Sequence, residues 1–546
     1  MQTLNPFHLL VLAAIVSMLI IPVMWRIAPR LGLVDIPDAR KVHTTPVPRI
    51  GGWGITLGTL LPLLLWLQVN PLLQSFALGA LVLFAFGVWD DASEIGHWIK
   101  FVGQAIAAAV IVYWGGLYIT HVPFLDGVVL SPGAGKAFTI FALVGAINAV
   151  NHSDGLDGLA AGESMLGLIA LAILGFLARS ALVTSVALAT VGGLLGFLRY
   201  NSHPARVFMG DSGSQVLGFT LGVLTIYLTQ VADPAVSAAL PLLILGVPIS
   251  DILVVLYRRI TGGMNWFKAS RNHVHHRLLD IGFRHYQTVI IIYSIQAVLV
   301  VSAVLLRYYS DYVVAGVYFG VIFLMFSTLT LAEALNWRFV ERADGRLARL
   351  PAAIRRIEGS KLLRESPRVL ISVTVPAFML LASLWVARVP PDVALVAALL
   401  AAVVATEMGR RRAISSSFVR LAVYVAAIAS VYLVVNYPGM VQGAVQFGTL
   451  AVVAALVAAI SGYLRFATDK KFGITPTDYL IVFVVLALLI FGSIDIGARA
   501  VVEIVVYAVV LLYGCEVLIS FTSRRWNALH LSTLAALTIM AVRGTL

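Results

Sequence analysis

Charged residues are scarce in this sequence: they make up 12% of its 546 residues, whereas a soluble domain has about 25%. Hydrophobic residues make up 60%, and the mean hydropathy is +0.95. The single cysteine, Cys515, excludes an internal disulfide and a cysteine metal cluster. No GxxxxGK[ST] loop is present, so ATP hydrolysis is not indicated. The composition excludes a soluble domain and predicts an all-α, polytopic integral membrane protein.

Apolar runs close to the roughly 20 residues that a spanning helix needs recur along the whole sequence. Eleven spans are predicted at about 7–25, 52–68, 72–88, 101–115, 136–150, 162–178, 181–198, 213–229, 236–257, 286–306 and 312–333. Seven more are predicted at about 369–387, 393–408, 417–435, 443–462, 479–496, 499–521 and 528–543. The first run has no basic n-region and no cleavage pattern, so it is interpreted as a span and not as a signal peptide.

A polar, basic stretch separates these two groups of spans. The predicted organisation is therefore a membrane-embedded core at 1–335, a basic linker at 336–368 and a C-terminal membrane block at 369–546. Lysine and arginine concentrate after odd-numbered spans and are nearly absent after even-numbered ones. The positive-inside rule then puts the N-terminus outside and the basic loops in the cytosol. This arrangement accounts for the net charge of +12, and no nucleic-acid partner is expected.

Five polar clusters interrupt the apolar pattern, and the predicted topology puts all five on the cytosolic side, at helix ends. The first, KVHTTPVPRIGG, contains Lys41, His43 and Arg49. Its cations suit a phosphate, and its Pro and Gly residues suit a tight backbone. Taken alone, it also fits an ordinary positive-inside loop.

The second cluster is the adjacent pair Asp90 and Asp91, with Lys100 further along. Two carboxylates at the end of an apolar helix are costly to desolvate unless they hold a cation or face water. A solvated helix end is the alternative interpretation of this pair.

The third cluster, NAVNHSDGLDGLAAGE, has polar residues at steps of three: Asn148, Asn151, Asp154 and Asp157. On a helix these four residues would share one face. Gly155 and Gly158 count against a helix there and would instead let the backbone approach a ligand. Acidic residues at a membrane edge are functional by default, so a chance polar turn is the weaker interpretation.

The fourth cluster, RVFMGDSGSQVLGF, contains Asp211 directly before the eighth span. The backbone N–H groups of Gly213 and Ser214 would begin that helix, where anions bind. An N-cap role for Asp211 is the alternative and is compatible with metal binding.

The fifth cluster, NHVHHRLLDIG, contains His273, His275, His276 and Arg277. A zinc site is one interpretation, but no cysteine or second histidine cluster completes a four-ligand shell. Contact between the histidines and phosphate groups is therefore favoured. Together, carboxylates that hold magnesium and cations that hold phosphates indicate phosphoryl transfer from a nucleotide diphosphate.

In this order, the five clusters resemble those of the polyprenyl-phosphate N-acetylhexosamine-1-phosphate transferases. The matching segments are PRIGG at 48–52, the Asp90–Asp91 pair, NAVNHSDGLDGLA at 148–160, FMGDSGS at 208–214 and HVHHRL at 273–278, all within about 1–335. The sequence departs from the family pattern at Ser270, where an Asp is frequent, and at His152 and Ser153.

The resemblance implies a core of eleven transmembrane helices in the bacterial inner membrane, with the active site in a cytosolic cleft. It implies transfer of a sugar phosphate, with GlcNAc as the expected sugar, from a UDP-N-acetylhexosamine to undecaprenyl phosphate. UMP would be released, and the product would initiate a cell-envelope glycan. The expected cofactor is Mg²⁺, with Mn²⁺ as the alternative. The HxHHRL form is similar to the branch for O-antigen, common antigen or teichoic-acid linkage.

Roles follow for individual residues within this interpretation. Asp211 with Asp90 or Asp91 would hold the metal, and one of the adjacent pair could instead act as a base. Asp154 and Asp157 would position the nucleotide or supply a second ligand set. The catalytic set also includes His273, His275 and His276, and the expected substrate contacts are Lys41, His43, Arg49, Lys100, Asn148, Asn151, Arg271 and Arg277.

Two rival interpretations are a transporter or flippase of lipid-linked sugars and an inactive scaffold. A transporter explains the many spans, but its binding groups would gather at the midplane and not on one face. The expected partners are the UDP-sugar, undecaprenyl phosphate and the lipid bilayer, and both a monomer and a homodimer are compatible with the sequence. The block at 369–546 is predicted to be dispensable for the chemistry.

Overall fold

The computed structural model describes residues 6–37, 46–125, 127–263, 272–339, 361–409, 417–438, 442–466, 499–521 and 528–545. Most of these residues are helical. They fall into two compact units, which comprise the described residues of 6–339 and of 361–545.

The first unit contains thirteen α-helices among its described residues. They are α1 Pro6–Ile27, α2 Gly51–Trp66, α3 Pro71–Ser93, α4 His97–Tyr113, α5 Pro132–Ser153, α6 Leu159–Leu177, α7 Ala181–Asn201, α8 Asp211–Tyr227, α9 Leu240–Ile244, α10 Gly246–Thr261, α11 Val274–Ile281, α12 His285–Leu305 and α13 Asp311–Ala334. A 3-10 turn, Ala28–Leu31, follows α1, and a π-turn, Leu228–Ala232, extends α8. Two short antiparallel strands, β1 Val34–Asp35 and β2 Val47–Pro48, form the sheet of this unit.

The second unit has six helices among its described residues. They are α14 Lys361–Trp385, α15 Pro391–Gly409, α16 Ser417–Asn436, α17 Gln442–Phe466, α18 Arg499–Phe521 and α19 Ala528–Thr545. Within this unit α19 packs against α14 and α15, and α16 packs against α18.

Ten helices of the described residues are long and apolar enough to cross a membrane, and six shorter apolar helices accompany them. The prediction of an all-α polytopic membrane protein is therefore confirmed. The predicted span at 479–496 lies outside the described residues.

Helix α8 is the central helix of the first unit, because it packs against α2, α3, α5 and α6. Every residue from Ser212 to Ile226 is buried. On the side toward α5, Gly218 and Gly222 form a GxxxG pair. A β-carbon added at Gly218 would lie 2.6 Å from the Cα of Ile147. Small residues at this spacing let two membrane helices approach closely, and this contact fixes α8 beside the C-terminal end of α5.

Two sequence-based boundaries were wrong. The predicted span at 236–257 is two helices, α9 and α10. Pro248 has no N–H to donate to the carbonyl of Ile244. The side chain of Gln296 replaces the lost pairing: it donates to the Ile244 carbonyl (2.8 Å) and accepts from the Val247 N–H (3.0 Å). The end of the predicted linker, 361–368, is helical and belongs to α14.

Candidate active site

The N-terminus of α8 is capped by a side chain from another helix. The carboxylate of Asp91, near the end of α3, accepts hydrogen bonds from the Asp211 N–H (2.9 Å), the Ser212 N–H (3.2 Å) and the Ser212 hydroxyl (2.7 Å). A carboxylate at this position satisfies free N–H groups and lies at the positive end of the helix dipole. The N-cap role considered for Asp211 was wrong, because α8 begins at Asp211 and its N-cap residue is Gly210.

Glycines make room for this contact. Gly210 has a φ of +72°, a backbone conformation that glycine adopts without strain. A β-carbon on Gly87 of α3 would lie 2.4 Å from the Cα of Ser212, and one on Gly52 of α2 would lie 2.3 Å from the Ser212 hydroxyl oxygen. The close approach of α2 and α3 to α8 therefore requires glycine, which has no side chain, at positions 52 and 87.

Asp90, Lys100 and Asp211 form a second group, here called the carboxylate–lysine cluster. The Lys100 ammonium lies 2.7 Å from Asp90 Oδ2 and 2.8 Å from Asp211 Oδ2. Gln215, one turn into α8, donates to the same Asp211 oxygen at 3.2 Å. The other oxygen of Asp90, Oδ1, is buried and has no hydrogen-bond partner. Oxygen donors of this kind suit a hard divalent cation such as Mg²⁺, so this cluster could hold one.

The PRIGG segment reaches this site through its backbone. The N–H groups of Gly51 and Gly52 donate to the carbonyls of Phe208 and Met209, each at 2.9 Å, and the Phe208 N–H donates to the Pro48 carbonyl at 2.8 Å. The first and fourth sequence clusters are thus paired like adjacent strands.

Of the three candidate residues in the first sequence cluster, the structure describes only Arg49. The Arg49 guanidinium is paired with the carboxylate of Asp35 on β1. Lys41 and His43, together with Arg271 of the fifth cluster, lie outside the described residues.

In the third cluster, α5 ends at Ser153, so only Asn148 and Asn151 share a helix face. The Asn148 amide donates to the side-chain oxygen of Gln104 on α4 (2.7 Å). Asn151 accepts from the hydroxyl of Ser214 on α8 (2.7 Å). These two amides join α5 to α4 and to α8, close to the carboxylate–lysine cluster.

Asp154 follows the end of α5 and is accessible to solvent, while protein atoms enclose it on its other sides. This enclosure, together with the negative charges of Asp211, Asp91 and Asp157, raises the pKa of Asp154 to about 7. A carboxyl group whose pKa is raised by enclosure and then by neighbouring carboxylates lies where positive charge is deficient.

Asp157 lies in the turn that leads into α6. Its Oδ2 is 2.7 Å from Nδ1 of His203 and accepts from the Ala205 N–H at 3.0 Å. Asn201 accepts from the Gly158 N–H at 2.8 Å and donates to the Val207 carbonyl at 2.9 Å. These contacts join the turn before α6 to the loop that leads into Asp211.

The histidine cluster lies against the third cluster. A β-carbon on Gly155 would lie 2.3 Å from Nε2 of His275. The glycine predicted to let the backbone approach a ligand thus lets it approach the ring of His275. The ring of His273 stacks between those of His152 and His275, with centroids 5.8 and 5.6 Å away. Burial and the nearby His276 lower the pKa of His275 to about 3, so His275 is neutral at neutral pH.

Two acidic residues that were missed in the sequence hold this histidine segment. Asp251 on α10 pairs with Nδ1 of His273 (2.7 Å) and accepts from the Val274 N–H (2.8 Å). Glu333 on α13 binds the buried Arg277 guanidinium through two oxygens, at 2.6 and 2.9 Å. Asp251 is the one acidic residue of the predicted span 236–257, and an ionisable group in a span was a usable signal.

The described residues of the five clusters therefore meet at the ends of α3, α5 and α8 and beside α11. Carboxylates, one lysine and several histidines converge there, within a unit made of apolar helices. This combination defines a multi-pass membrane protein with a cluster of ionisable groups at the ends of its helices.

Comparison with known proteins agrees with this class. The family model described as glycosyl transferase family 4 matches residues 73–229. A probable undecaprenyl-phosphate N-acetylglucosaminyl 1-phosphate transferase of Bacillus subtilis (strain 168) is 36% identical over 304 residues, which are 55% of this chain and 85% of the relative. The undecaprenyl-phosphate alpha-N-acetylglucosaminyl 1-phosphate transferase of Escherichia coli (strain K12) is 30% identical over 334 residues, 59% of this chain and 90% of the relative.

A decaprenyl-phosphate N-acetylglucosaminephosphotransferase of Mycobacterium leprae (strain TN) is 33% identical over 317 residues, 52% of this chain and 78% of the relative. The chain belongs to the polyprenyl-phosphate N-acetylglucosamine-1-phosphate transferase family. The resemblance noted from the five motifs is therefore confirmed.

Proposed function

We propose that this protein transfers N-acetylglucosamine 1-phosphate from UDP-GlcNAc to undecaprenyl phosphate, on the cytosolic face of the bacterial inner membrane. An oxygen of the lipid phosphate attacks the β-phosphorus of the nucleotide sugar. A new oxygen–phosphorus bond forms, the bond from the β-phosphorus to the bridging oxygen breaks, and UMP leaves with that oxygen. The product is the lipid diphosphate sugar that initiates a cell-envelope glycan.

The observation that carries this proposal is the carboxylate–lysine cluster at the N-terminus of α8. Both substrates are anionic, so their approach requires positive charge. Lys100 lies between two carboxylates at 2.7 and 2.8 Å, where it can bind an incoming phosphate oxygen. The carboxylate–lysine cluster lies at helix ends and not in the middle of a span, which favours chemistry at the membrane surface over transport.

The donor set supports Mg²⁺ as the cofactor, with Asp90 and Asp211 as its ligands. When bound, Mg²⁺ would neutralise phosphate charge and polarise phosphoryl oxygens. Asp90 is favoured over Asp91 because Asp90 Oδ1 has no partner, whereas both oxygens of Asp91 accept hydrogen bonds from the start of α8. Asp91 is thereby a positioning residue for Asp211.

The remaining residues have binding and positioning roles in this proposal. The accessible carboxylate of Asp154 is available to the nucleotide or to a cation. The neutral ring of His275 can donate or accept hydrogen bonds at the diphosphate, and Asp251 fixes the neighbouring His273 ring. The Arg277 guanidinium, bound by Glu333, serves to hold α11 against α13.

The test is UMP release by the purified full-length protein with UDP-GlcNAc and undecaprenyl phosphate. We expect release only when both substrates are present, loss of release with EDTA and recovery with Mg²⁺. Asp211→Asn should remove release while the variant stays folded, because an amide keeps the shape and loses the charge. Release that continues in EDTA would overturn the metal assignment. Binding of lipid-linked sugar without any UMP would favour a transporter.

A further inference from the structure

Three residues from distant parts of the chain lie together beside the active site, and the proposed transfer does not account for them as a group. Asp157 lies in the turn before α6, His203 follows the end of α7, and His285 is the first residue of α12. One possible ligand atom from each residue can be chosen so that all three atoms lie within 4.8 Å of one another. We call this group the Asp157–His203–His285 cluster.

The contacts inside this cluster leave donor atoms without partners. His203 Nδ1 lies 2.7 Å from Asp157 Oδ2. The rings of His203 and His285 stack with centroids 4.0 Å apart and an interplanar angle of 19°. Both ring nitrogens of His285 are buried, and neither has a hydrogen-bond partner. Buried polar atoms of this kind normally have a partner, so a bound group is the simplest way to satisfy them.

The donor set indicates which group would bind. Two imidazoles and one carboxylate match the three-ligand sites that Zn²⁺ and related ions occupy, with a fourth position left to water or substrate. Mg²⁺ prefers oxygen ligands, so this donor set differs from that of the carboxylate–lysine cluster. Ligand atoms around a tetrahedral zinc lie about 3.3 Å apart, given bonds of about 2.0 Å. Since no two of the three ligand atoms are more than 4.8 Å apart, a shift of at most about 1.5 Å in any pair would bring it to the zinc spacing.

We propose that Asp157, His203 and His285 bind a divalent transition-metal ion of the Zn²⁺ class. Such an ion would fasten the loop that precedes Asp211 to the turn before α6 and to the start of α12. The hydrogen bonds from Gly158 to Asn201 and from Tyr293 to Gly158 already join these segments, at 2.8 and 2.6 Å. The ion would add a link on the solvent-exposed side of that junction, where His203 lies. This binding does not depend on the transfer activity proposed above.

The test is metal binding to the full-length protein, purified in detergent and stripped with a chelator. Zn²⁺ is titrated calorimetrically, and Co²⁺ is added as a spectroscopic probe whose visible absorption reports its ligands. We expect one site per chain that excess Mg²⁺ does not displace. His203→Gln and His285→Gln should each weaken Zn²⁺ binding by about tenfold or more, since even outer-shell partners of a metal are worth 10–100-fold. His121→Gln, a histidine of the α4–α5 connection, is the matched control.

A second measurement needs no substitution at the site. Zn²⁺ should raise the unfolding temperature of wild-type protein that is already saturated with Mg²⁺, because the two ions bind different clusters. Asp211→Asn should retain Zn²⁺ binding, because Asp211 belongs to the other cluster. Equal Zn²⁺ affinity and equal Co²⁺ spectra for wild type and both histidine variants would overturn the proposal. Displacement of Zn²⁺ by Mg²⁺, or its loss in Asp211→Asn, would also overturn it, because the ion would then bind the carboxylate–lysine cluster.

Discussion

Asp90 and Asp91 are adjacent in the chain, yet they contact different groups. Asp91 accepts hydrogen bonds from the first two residues of α8. Asp90 contacts Lys100 and keeps one buried oxygen without a partner. The contacts of Asp91 stabilise the fold, whereas Asp90 keeps an oxygen that can bind a ligand.

This difference predicts unequal effects on stability for two conservative substitutions. Asp91→Asn should destabilise the protein by about 1–3 kcal/mol, since hydrogen bonds to a charged group are lost. Asp90→Asn should leave the unfolding temperature unchanged or higher, because loss of the ion pair with Lys100 is offset by removal of a buried charge that Asp211 repels. Both variants should lose UMP release. Thermal unfolding in detergent, in parallel with the transfer assay, would measure this. Equal destabilisation by both substitutions would contradict the assignment of Asp91 as the helix cap.

Asp251 is predicted to act through His273. Asp251→Asn should lower the rate of transfer roughly ten- to a hundredfold and leave KM for UDP-GlcNAc nearly unchanged, because it disturbs the ring's tautomer and orientation. The pH profile of the rate should also shift. Asp233→Asn, at the other end of α8, is the control and should behave as wild type. An unchanged rate in Asp251→Asn would show that His273 needs no fixed orientation.

The raised pKa of Asp154 predicts a pH dependence of stability in protein freed of divalent ions. The folded chain holds this proton to about pH 7, whereas an unfolded chain releases it near pH 4. The stabilising contribution is therefore complete below about pH 4 and is lost as the pH rises to about 7. As the pH rises across this window, the unfolding temperature of Asp154→Asn should increase relative to that of the wild type. A constant difference between the two proteins from pH 4.5 to 7.5 would contradict it.

At the scale of elements, the packing of α8 depends on glycines at its contacts with α2, α3 and α5. Gly87→Ala should destabilise the protein by about 1–3 kcal/mol and abolish transfer, since the new methyl would meet the backbone of Ser212 at 2.4 Å. Gly145→Ala on α5 is the matched control, because its added carbon would meet nothing within 4 Å. The control should be neutral or slightly stabilising. Retained activity in Gly87→Ala would mean that α3 can move away from α8 without harm.

The helices were largely predictable because apolar length is a strong signal in a membrane protein. Predicted spans such as 181–198 and 286–306 correspond to Ala181–Asn201 and His285–Leu305. The break between α9 and α10 had a signal in the sequence, Pro248, but the pairing of the freed backbone groups was not predictable, because it depends on Gln296 of a different helix. The β1–β2 pair was also missed, because each strand has only two residues.

The site was predictable in its residue types and less so in their roles. The structure brings Asp91 and Asp211, two of the carboxylates at helix ends, together at the start of α8. The distinction between Asp90 and Asp91 was not available from the sequence, because it depends on which of the two faces the start of α8. His203 and His285 have no local motif, and only the fold brings them to Asp157.

At the scale of the whole molecule, the described residues of the site all belong to the first unit, 6–339. The relatives of B. subtilis and E. coli are matched over 85% and 90% of their lengths by about half of this chain. We propose that the C-terminal unit is an addition to the family core and that it serves docking, regulation or product handling.

A chain ending at residue 340 should therefore retain UMP release in detergent. This cut leaves α14 out entirely, whereas a cut after Arg368 would divide that helix. The comparison is the rate per mole of the truncated and full-length proteins, with membrane insertion checked for both. A truncated protein that inserts stably and releases no UMP would place part of the active site in the C-terminal unit. Transfer in vitro without the glycan in cells would indicate a role after the chemistry.

The cap on α8 also bears on how the protein is made. Asp91 lies 120 residues before the N–H group of Asp211 that it accepts from. At a synthesis rate of about 5–20 residues per second, α3 is completed roughly 6–24 s before its partner exists. During that interval the two carboxylates of α3 have no donors from α8. Because they occupy the last turn of α3, they can remain hydrated at the membrane interface during insertion. In the middle of the span they would have had to enter the lipid without hydrogen-bond partners.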